Sequence, residues 1–195
     1  MRGGVVVLAA GSASRFGSDK RTHTLAEGNF LLGATVARYV EKFDDVIVVL
    51  RPEDDAIATR LTQAFDPDTV TFVRAPDARL GMGHSLAAGI RAAKEWDFAF
   101  VALGDMPFVD LRTLAALNRA ISEAGPDAIV QPIHRGRPGH PVGFGHGHFV
   151  ALESLTGDQG ARRVVRLAGS HLVTIDVDDP GVLHDVDTPA DLPGA

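Results

Sequence analysis

Val5-Val6-Val7-Leu8-Ala9-Ala10 runs without a break into Gly11-Ser12-Ala13-Ser14-Arg15-Phe16-Gly17-Ser18-Asp19-Lys20, and this junction decides how the rest of the chain is read. The first part is a continuous, partly β-branched apolar run, which suits a strand covered on both faces of a parallel sheet. The second part has the composition of a ligand loop. Glycine lets backbone approach a ligand closely, and successive amide N–H groups can cradle phosphate oxygens. Ser12 and Ser14 add hydroxyl donors. Arg15 and Lys20 bring positive charge suited to a polyphosphate, Arg through a planar fork and Lys as a point charge. The loop has neither the G-K-[ST] ending of a Walker A sequence nor the G-x-G-x-x-G dinucleotide fingerprint. The competing reading is an ordinary strand-to-helix loop with two exposed basic residues. Apart from Asp19 no acidic run lies beside them. On their exposure, replacing either by Ala is expected to leave stability within about 0.5 kcal/mol.

Outward from the loop, further apolar runs occupy residues 46–50, 70–73, 98–103, 128–131 and 172–177. Helical periodicity fills the gaps at residues 30–43, 56–65, 85–96 and 111–124, with apolar positions recurring every three or four residues. Strand and helix in alternation predict an α/β fold: a Rossmann-like, three-layer domain with a mostly parallel, mixed sheet. The regularity stops after Gln131. Residues 134–148 hold four of the eight histidines, two prolines and five glycines, and read as a long loop. Short helices are expected at residues 149–155 and 159–168. No linker, repeat or low-complexity tract divides the chain, so residues 1–195 are expected to form a single domain.

Composition narrows the classes. The 195 residues are 45% hydrophobic and 23% charged, ordinary for a globular protein. Cysteine is absent, which excludes disulfides, thiolate metal sites and a cysteine nucleophile. With 19 basic against 25 acidic residues and a net charge of −6, a nucleic-acid partner is not expected. No apolar run approaches the ~20 residues of a membrane span, and the first residues do not resemble a signal peptide, so a cytoplasmic protein without membrane contact is expected.

Four more stretches carry candidate chemistry. Gly81-Met82-Gly83-His84-Ser85 precedes a helix, where two glycines give a donor-rich turn and Ser85 is placed to cap. The same glycines, with Gly89, also fit plain close packing. Leu103-Gly104-Asp105-Met106-Pro107 ends the fourth strand. Open α/β sheets bind ligands at that edge, and Asp110 is the better cap for the next helix, which leaves Asp105 free for a hard cation. In Asp185-Val186-Asp187-Thr188-Pro189-Ala190-Asp191, the Thr-Pro-x-Asp portion reads as a helix start, while Asp185 and Asp187 remain unexplained. Arg137-Pro138-Gly139-His140-Pro141 lies in the loop-rich stretch, where Arg137 and His140 are placed to meet an anion. Gly157-Asp158-Gln159-Gly160-Ala161-Arg162 reads as a capped helix start. The other histidines lack zinc-site spacing, and His146-Gly147-His148 reads as a solvated turn.

Leu8-Ala9-Ala10-Gly11-Ser12-Ala13-Ser14-Arg15-Phe16-Gly17-x-x-Lys20 resembles the signature loop of the MobA-like nucleotidyltransferases, and the other stretches follow in that family's order as far as residue 192. The resemblance implies metal-dependent transfer of a nucleotidyl group from a nucleoside triphosphate. It places Leu8, Ala9, Ala10, Gly11, Ser12, Ser14, Arg15 and Lys20 around the nucleotide, with Gly81, Gly83 and Ser85 at base and ribose. Arg15, Lys20 and Asp105 take catalytic roles, and Asp105 and Asp187 hold Mg²⁺, with Asp185 in reserve. The Gly-His-Pro-Val segment is similar to the acceptor side of the molybdopterin cytidylyltransferase branch, which puts Arg137, His140 and Pro141 there, with Asp158 or Arg162 as weaker candidates. Ala10, where guanylyl relatives carry glycine, implies CTP as donor, and the resemblance to that branch implies a molybdopterin-type phosphate as acceptor. It leaves GTP, or a sugar phosphate or methylerythritol phosphate acceptor, as alternatives. A molybdoenzyme or insertion chaperone is the implied protein partner, and a non-catalytic nucleotide- and cofactor-binding chaperone is the rival from another class. After Lys20, Arg21-Thr22-His23-Thr24-Leu25 and Gly28-Asn29-Phe30-Leu31-Leu32 depart from the usual apolar stretch and G-x-P-L-L turn of the family.

Overall fold

Val5, Val6 and Val7 are all fully buried, as a strand covered on both faces must be. They lie in β1 (Gly3–Leu8), in a computed structural model that describes residues 1–11, 19–25, 28–158 and 160–192. The chain continues through α1 (Leu31–Val40), β2 (Val46–Leu50), α2 (Asp55–Ala64), β3 (Val70–Arg74), α3 (Met82–Ala92), β4 (Phe98–Leu103) and α4 (Leu111–Ala124). It ends with β5 (Ile129–His134), β6 (Arg137–Pro138), β7 (Val142–Gly145), α5 (Phe149–Glu153), α6 (Arg162–Leu167) and β8 (Leu172–Asp176). The strands form one sheet of order β3-β2-β1-β4-β7-β5-β6, with β8 also paired to β5. Pairs β1–β2, β1–β4, β2–β3 and β5–β8 are parallel, and β7 runs antiparallel to both β4 and β5.

Alternation along β1 sorts its side chains into two cores. Val5, Val7 and Ala9 pack with Leu32, Val36 and Tyr39 of α1 and Leu114 and Leu117 of α4. Val6, Leu8 and Ala10 pack on the other face with Leu86 and Ile90 of α3 and Phe149 and Leu152 of α5. This is the expected three-layer arrangement, and each fully buried Val or Leu contributes roughly 1.5–3 kcal/mol of transfer free energy. The chain leaves β1 for β2 on one side and later returns to β4 on the other. The carboxyl ends of β1 and β4 therefore frame the crevice where open α/β sheets bind ligands. Register brings Leu8 opposite Leu103, and the Gly104 N–H donates to the Leu8 carbonyl at 3.0 Å.

The stretch 134–148 is not the loop its composition suggests. Two of its segments are strands, and β7 is inserted between β4 and β5 with all four residues buried. Its glycines answer to packing. A Cβ on Gly143 would lie 2.6 Å from Phe100, whose ring fills that space. His146-Gly147-His148 is a short 3-10 turn tied back to the fold, with His146 bonded to the Trp96 carbonyl and His148 to that of Asp127. Boundaries shift too. β1 ends at Leu8 rather than Ala10 and β5 extends to His134, while α3 begins at Met82 and α6 at Arg162. Asp110 caps α4 as expected, accepting from the Arg112 N–H at 2.8 Å.

Candidate active site

Lys20 opens a 3-10 turn, Lys20–Thr22, capped by the Asp19 side chain. Its ammonium reaches three oxygens: Asp105 Oδ2 at 2.8 Å, Asp187 Oδ1 at 2.9 Å and the Val186 carbonyl at 2.9 Å. Only 13% of the Lys20 side chain is exposed, which corrects the picture of an exposed lysine without acidic neighbours beyond Asp19. Burial works against its charged form, but the hydrogen bonds and fields of Asp105 and Asp187 outweigh it and raise its pKa above the usual lysine value.

The two carboxylates arrive by different routes. Asp105 stands two residues beyond the end of β4, and its carbonyl accepts from the Val186 N–H at 2.9 Å. Val186 is fully buried and pins its segment beside the crevice. Asp191 then fixes the next residues, accepting from the N–H groups of Asp187 and Thr188 and from the Thr188 hydroxyl. The predicted Thr-Pro-x-Asp start is thus a 3-10 turn, Pro189–Asp191, with a full capping box. It turns Asp187 to Lys20 while Asp185 stays exposed. Asp105 Oδ1 is buried without a hydrogen-bond partner among the described residues, and so is the Tyr39 hydroxyl. Burial first, then the charges of Asp105 and Asp179, push the Tyr39 pKa up.

Arg21, which the sequence reading passed over, anchors this arrangement. Its Nε and Nη2 bond Asp19 at 2.8 and 2.5 Å, its Nη1 and Nη2 bond Asp54 at 2.5 and 2.7 Å, and Nη1 bonds the Ala9 carbonyl at 2.7 Å. Every N–H of the guanidinium is used. Arg21 is 5% exposed and Asp54 7%. The Arg21 hydrogen bonds hold Asp19 below the usual carboxylate pKa despite burial. At Asp54 burial is the largest influence and pushes upward, but Arg21 and the Arg51 N–H prevail and lower it. Arg51 adds a second latch from the end of β2, donating to the carbonyls of Ala10 at 3.1 Å and of Gly11. Asp19 is two residues from Arg21, but no local pattern announces Asp54, which lies 33 residues away.

Of the expected nucleotide residues, Leu8, Ala9 and Ala10 are buried at the end of β1 and Gly11 is exposed just beyond. Ser12, Ser14 and Arg15 lie outside the described residues. Gly81 is the N-cap of α3, so Ser85 is a buried residue of the helix and not its cap. The Gly81 and Gly83 N–H groups donate to the carbonyls of Ala78 and Gly157, so neither is spare for a base edge. Gly81 has φ +126°, and a Cβ there would lie 2.3 Å from the Gly157 carbonyl carbon. Gly81→Ala is therefore expected to cost about 1–3 kcal/mol in chemical denaturation, and an unchanged midpoint would contradict this.

The acceptor candidates differ in exposure. Arg137 is exposed on β6, opposite His134. His140 is largely enclosed beside the cis bond to Pro141, its N–H held by the Val182 carbonyl at 2.8 Å. Burial lowers its pKa, only partly offset by the Val101 carbonyl and by Asp105, while Arg162 lowers it further. Among the described residues no group of three His, Asp or Glu side chains is placed to hold a metal, and no helix is long and apolar enough to cross a membrane.

The sequence profile described as the MobA-like NTP transferase domain matches residues 5–174. Nicotine blue oxidoreductase of Paenarthrobacter nicotinovorans is 30% identical over 190 residues, covering 94% of this chain and 91% of that one. Molybdenum cofactor cytidylyltransferase of Escherichia coli K12 is 23% identical over 187 residues, covering 96% and 92%. The crystal structure of Rv0371c from Mycobacterium tuberculosis H37Rv in complex with manganese superposes with a TM-score of 0.73 at 27% identity, covering 98% of this chain and 96% of that one.

Proposed function

The chain belongs to the MobA-like NTP transferase family and is a nucleotidyltransferase, and on that footing we propose that it moves CMP from CTP to the phosphate of a molybdopterin-type cofactor, releasing pyrophosphate. The observation that carries the reading is the meeting of Lys20, Asp105 and Asp187 at the carboxyl ends of β1 and β4. The cytidylyltransferase relative supports the donor and acceptor, and the manganese complex of the mycobacterial relative supports a divalent ion. Residues 1–195 act as one domain in this reading, and a cytoplasmic site suits its substrates.

The donor set fits Mg²⁺. Asp105 and Asp187 offer hard carboxylate oxygens, and Asp105 Oδ1 is buried without a hydrogen-bond partner among the described residues. Bound to these two residues, the ion supplies charge neutralisation to a triphosphate. The remaining work falls to the chain. Arg15 and Lys20 hold the leaving pyrophosphate. Leu8, Ala9, Ala10, Gly11, Ser12 and Ser14 line the nucleotide, with Gly83 and Ser85 behind it. His140, with Arg137 and Pro141, orients the acceptor for in-line attack on the α-phosphorus. A phosphate nucleophile is already an anion, so positioning and charge suffice and no base is required.

Pyrophosphate release across four nucleoside triphosphates and a set of phosphorylated acceptors tests this. Turnover is expected with CTP and the molybdopterin-type acceptor. Turnover with a sugar phosphate or methylerythritol phosphate instead would move the acceptor assignment, and binding without turnover would favour a chaperone role. A second reading, an oxidoreductase, rests on the name of the relative from Paenarthrobacter. The absence of a G-x-G-x-x-G loop weighs against it, and pyrophosphate release separates the two.

Base choice gives a sharper test. Ala10 is 3% exposed, in the apolar layer beneath α3, and in this reading its methyl group narrows the base pocket against a purine. A methyl-sized change discriminates by only ~1–3 kcal/mol. With the Gly81 and Gly83 N–H groups committed elsewhere, other polar groups must supply the rest. Wild type is expected to prefer CTP to GTP in kcat/KM, and Ala10→Gly to narrow that ratio without abolishing it. Equal use of both triphosphates by the wild type would contradict the cytidylyl assignment.

A further inference from the structure

Lys20 has three N–H donors and three bonds, to Asp105 Oδ2, Asp187 Oδ1 and the Val186 carbonyl. In this arrangement nothing remains for a triphosphate. Nor do Asp105 and Asp187 both remain open to a divalent ion while the ammonium sits between them. The two expected roles of this cluster exclude each other: Lys20 either closes the carboxylate pair or serves the phosphates.

The surroundings show what is able to move. Arg21, the next residue, is locked by five bonds to Asp19, Asp54 and the Ala9 carbonyl. Val186 and the Asp191 cap fix the carboxylate segment from the other side. The backbone on both flanks of the cluster is therefore held. The Lys20 side chain, a flexible four-carbon stem on a fixed turn, is the element free to change place by rotation about its own bonds.

We propose that Lys20 is a placeholder cation: it occupies the divalent-ion position of the nucleotide-free enzyme and is displaced to the triphosphate when the ion binds. The exchange makes ion and lysine competitors for Asp105 and Asp187. It suppresses ion binding to the empty enzyme and favours arrival of the ion together with the nucleotide, whose phosphates receive the freed ammonium. This rests on the reading of Asp105 and Asp187 as ion ligands, and the test separates the two.

The test is equilibrium binding of Mn²⁺ to nucleotide-free protein, read from the paramagnetic resonance signal of the free ion. Wild type, Lys20→Met and Lys20→Met with Asp105→Asn are compared. Lys20→Met keeps the stem and removes the charge. It is expected to bind Mn²⁺ more tightly than wild type by a factor on the order of tenfold, within the usual range for coupled sites. It should melt below wild type without the ion and recover when Mn²⁺ is added. Adding Asp105→Asn should remove the gain. Lys20→Gln serves the same comparison if the Met variant folds poorly. Binding by the Lys20 variants no tighter than by wild type would overturn the placeholder role. A gain that survives Asp105→Asn would place the ion elsewhere, overturning the ligand reading and the inference together.

Discussion

Asp105→Asn is expected to fold normally and to lose pyrophosphate-releasing turnover by a factor on the order of 10² or more. The side chain keeps its size, and its amide oxygen can still accept from Lys20, so the local packing has no cause to change. What is lost is a negative charge at the junction of β4 with the crevice, opposite the ammonium at 2.8 Å. Asp187→Asn is expected to behave similarly, because it shares that ammonium at 2.9 Å. Asp185→Asn should be milder, since Asp185 is exposed. Steady-state rates with CTP and acceptor, alongside melting curves, check this. Near-normal turnover in Asp105→Asn would remove the residue from the chemistry, and a larger loss in Asp185→Asn than in Asp187→Asn would reverse their assignment.

The largest stability effect is expected at Arg21. Removing one member of a buried, hydrogen-bonded ionic group leaves its partners uncompensated and costs about 3–5 kcal/mol. Arg21→Met should lose that much, measured by urea denaturation near neutral pH, because Asp54 is almost as buried as Arg21 itself. Replacing Asp54 by Leu in the same chain should recover part of the loss, since an apolar pair no longer strands a charge. The network also sets an acid limit. Asp19 and Asp54 are held below their ordinary value of 3.8, so their contribution is complete above that value and fades as pH falls through the lower folded values. Arg21→Met should flatten that acid limb. A loss under about 1 kcal/mol would show that the network is dispensable.

The parallel half of the sheet was legible because β1, β2 and β4 are buried on both faces and therefore apolar without interruption. β7 was not. Its Val142-Gly143-Phe144-Gly145 has glycine at every second position, and glycine reads as a turn unless the ring of Phe100 that needs the space is known. The site divides in the same way. Asp105 and Asp187 stood out because local capping left them unexplained, and Asp110 and Asp191 do the capping. The lysine between them was read as exposed because its partners lie at the end of β4 and 167 residues away in sequence. Arg21 was missed for the same reason: a buried guanidinium looks like any other arginine until its carboxylates are placed around it. The enclosure of His140 was not legible either, since burial is not written in Gly-His-Pro.

The divalent ion, the nucleotide and Lys20 are expected to meet where Asp105 and Asp187 converge. Anomalous diffraction from crystals soaked with Mn²⁺ and CTP measures this directly. The predicted result is a manganese peak in contact with both carboxylates and the Lys20 ammonium turned to the triphosphate. A peak held by other residues, with Lys20 still bonded to Asp105 and Asp187, would contradict it.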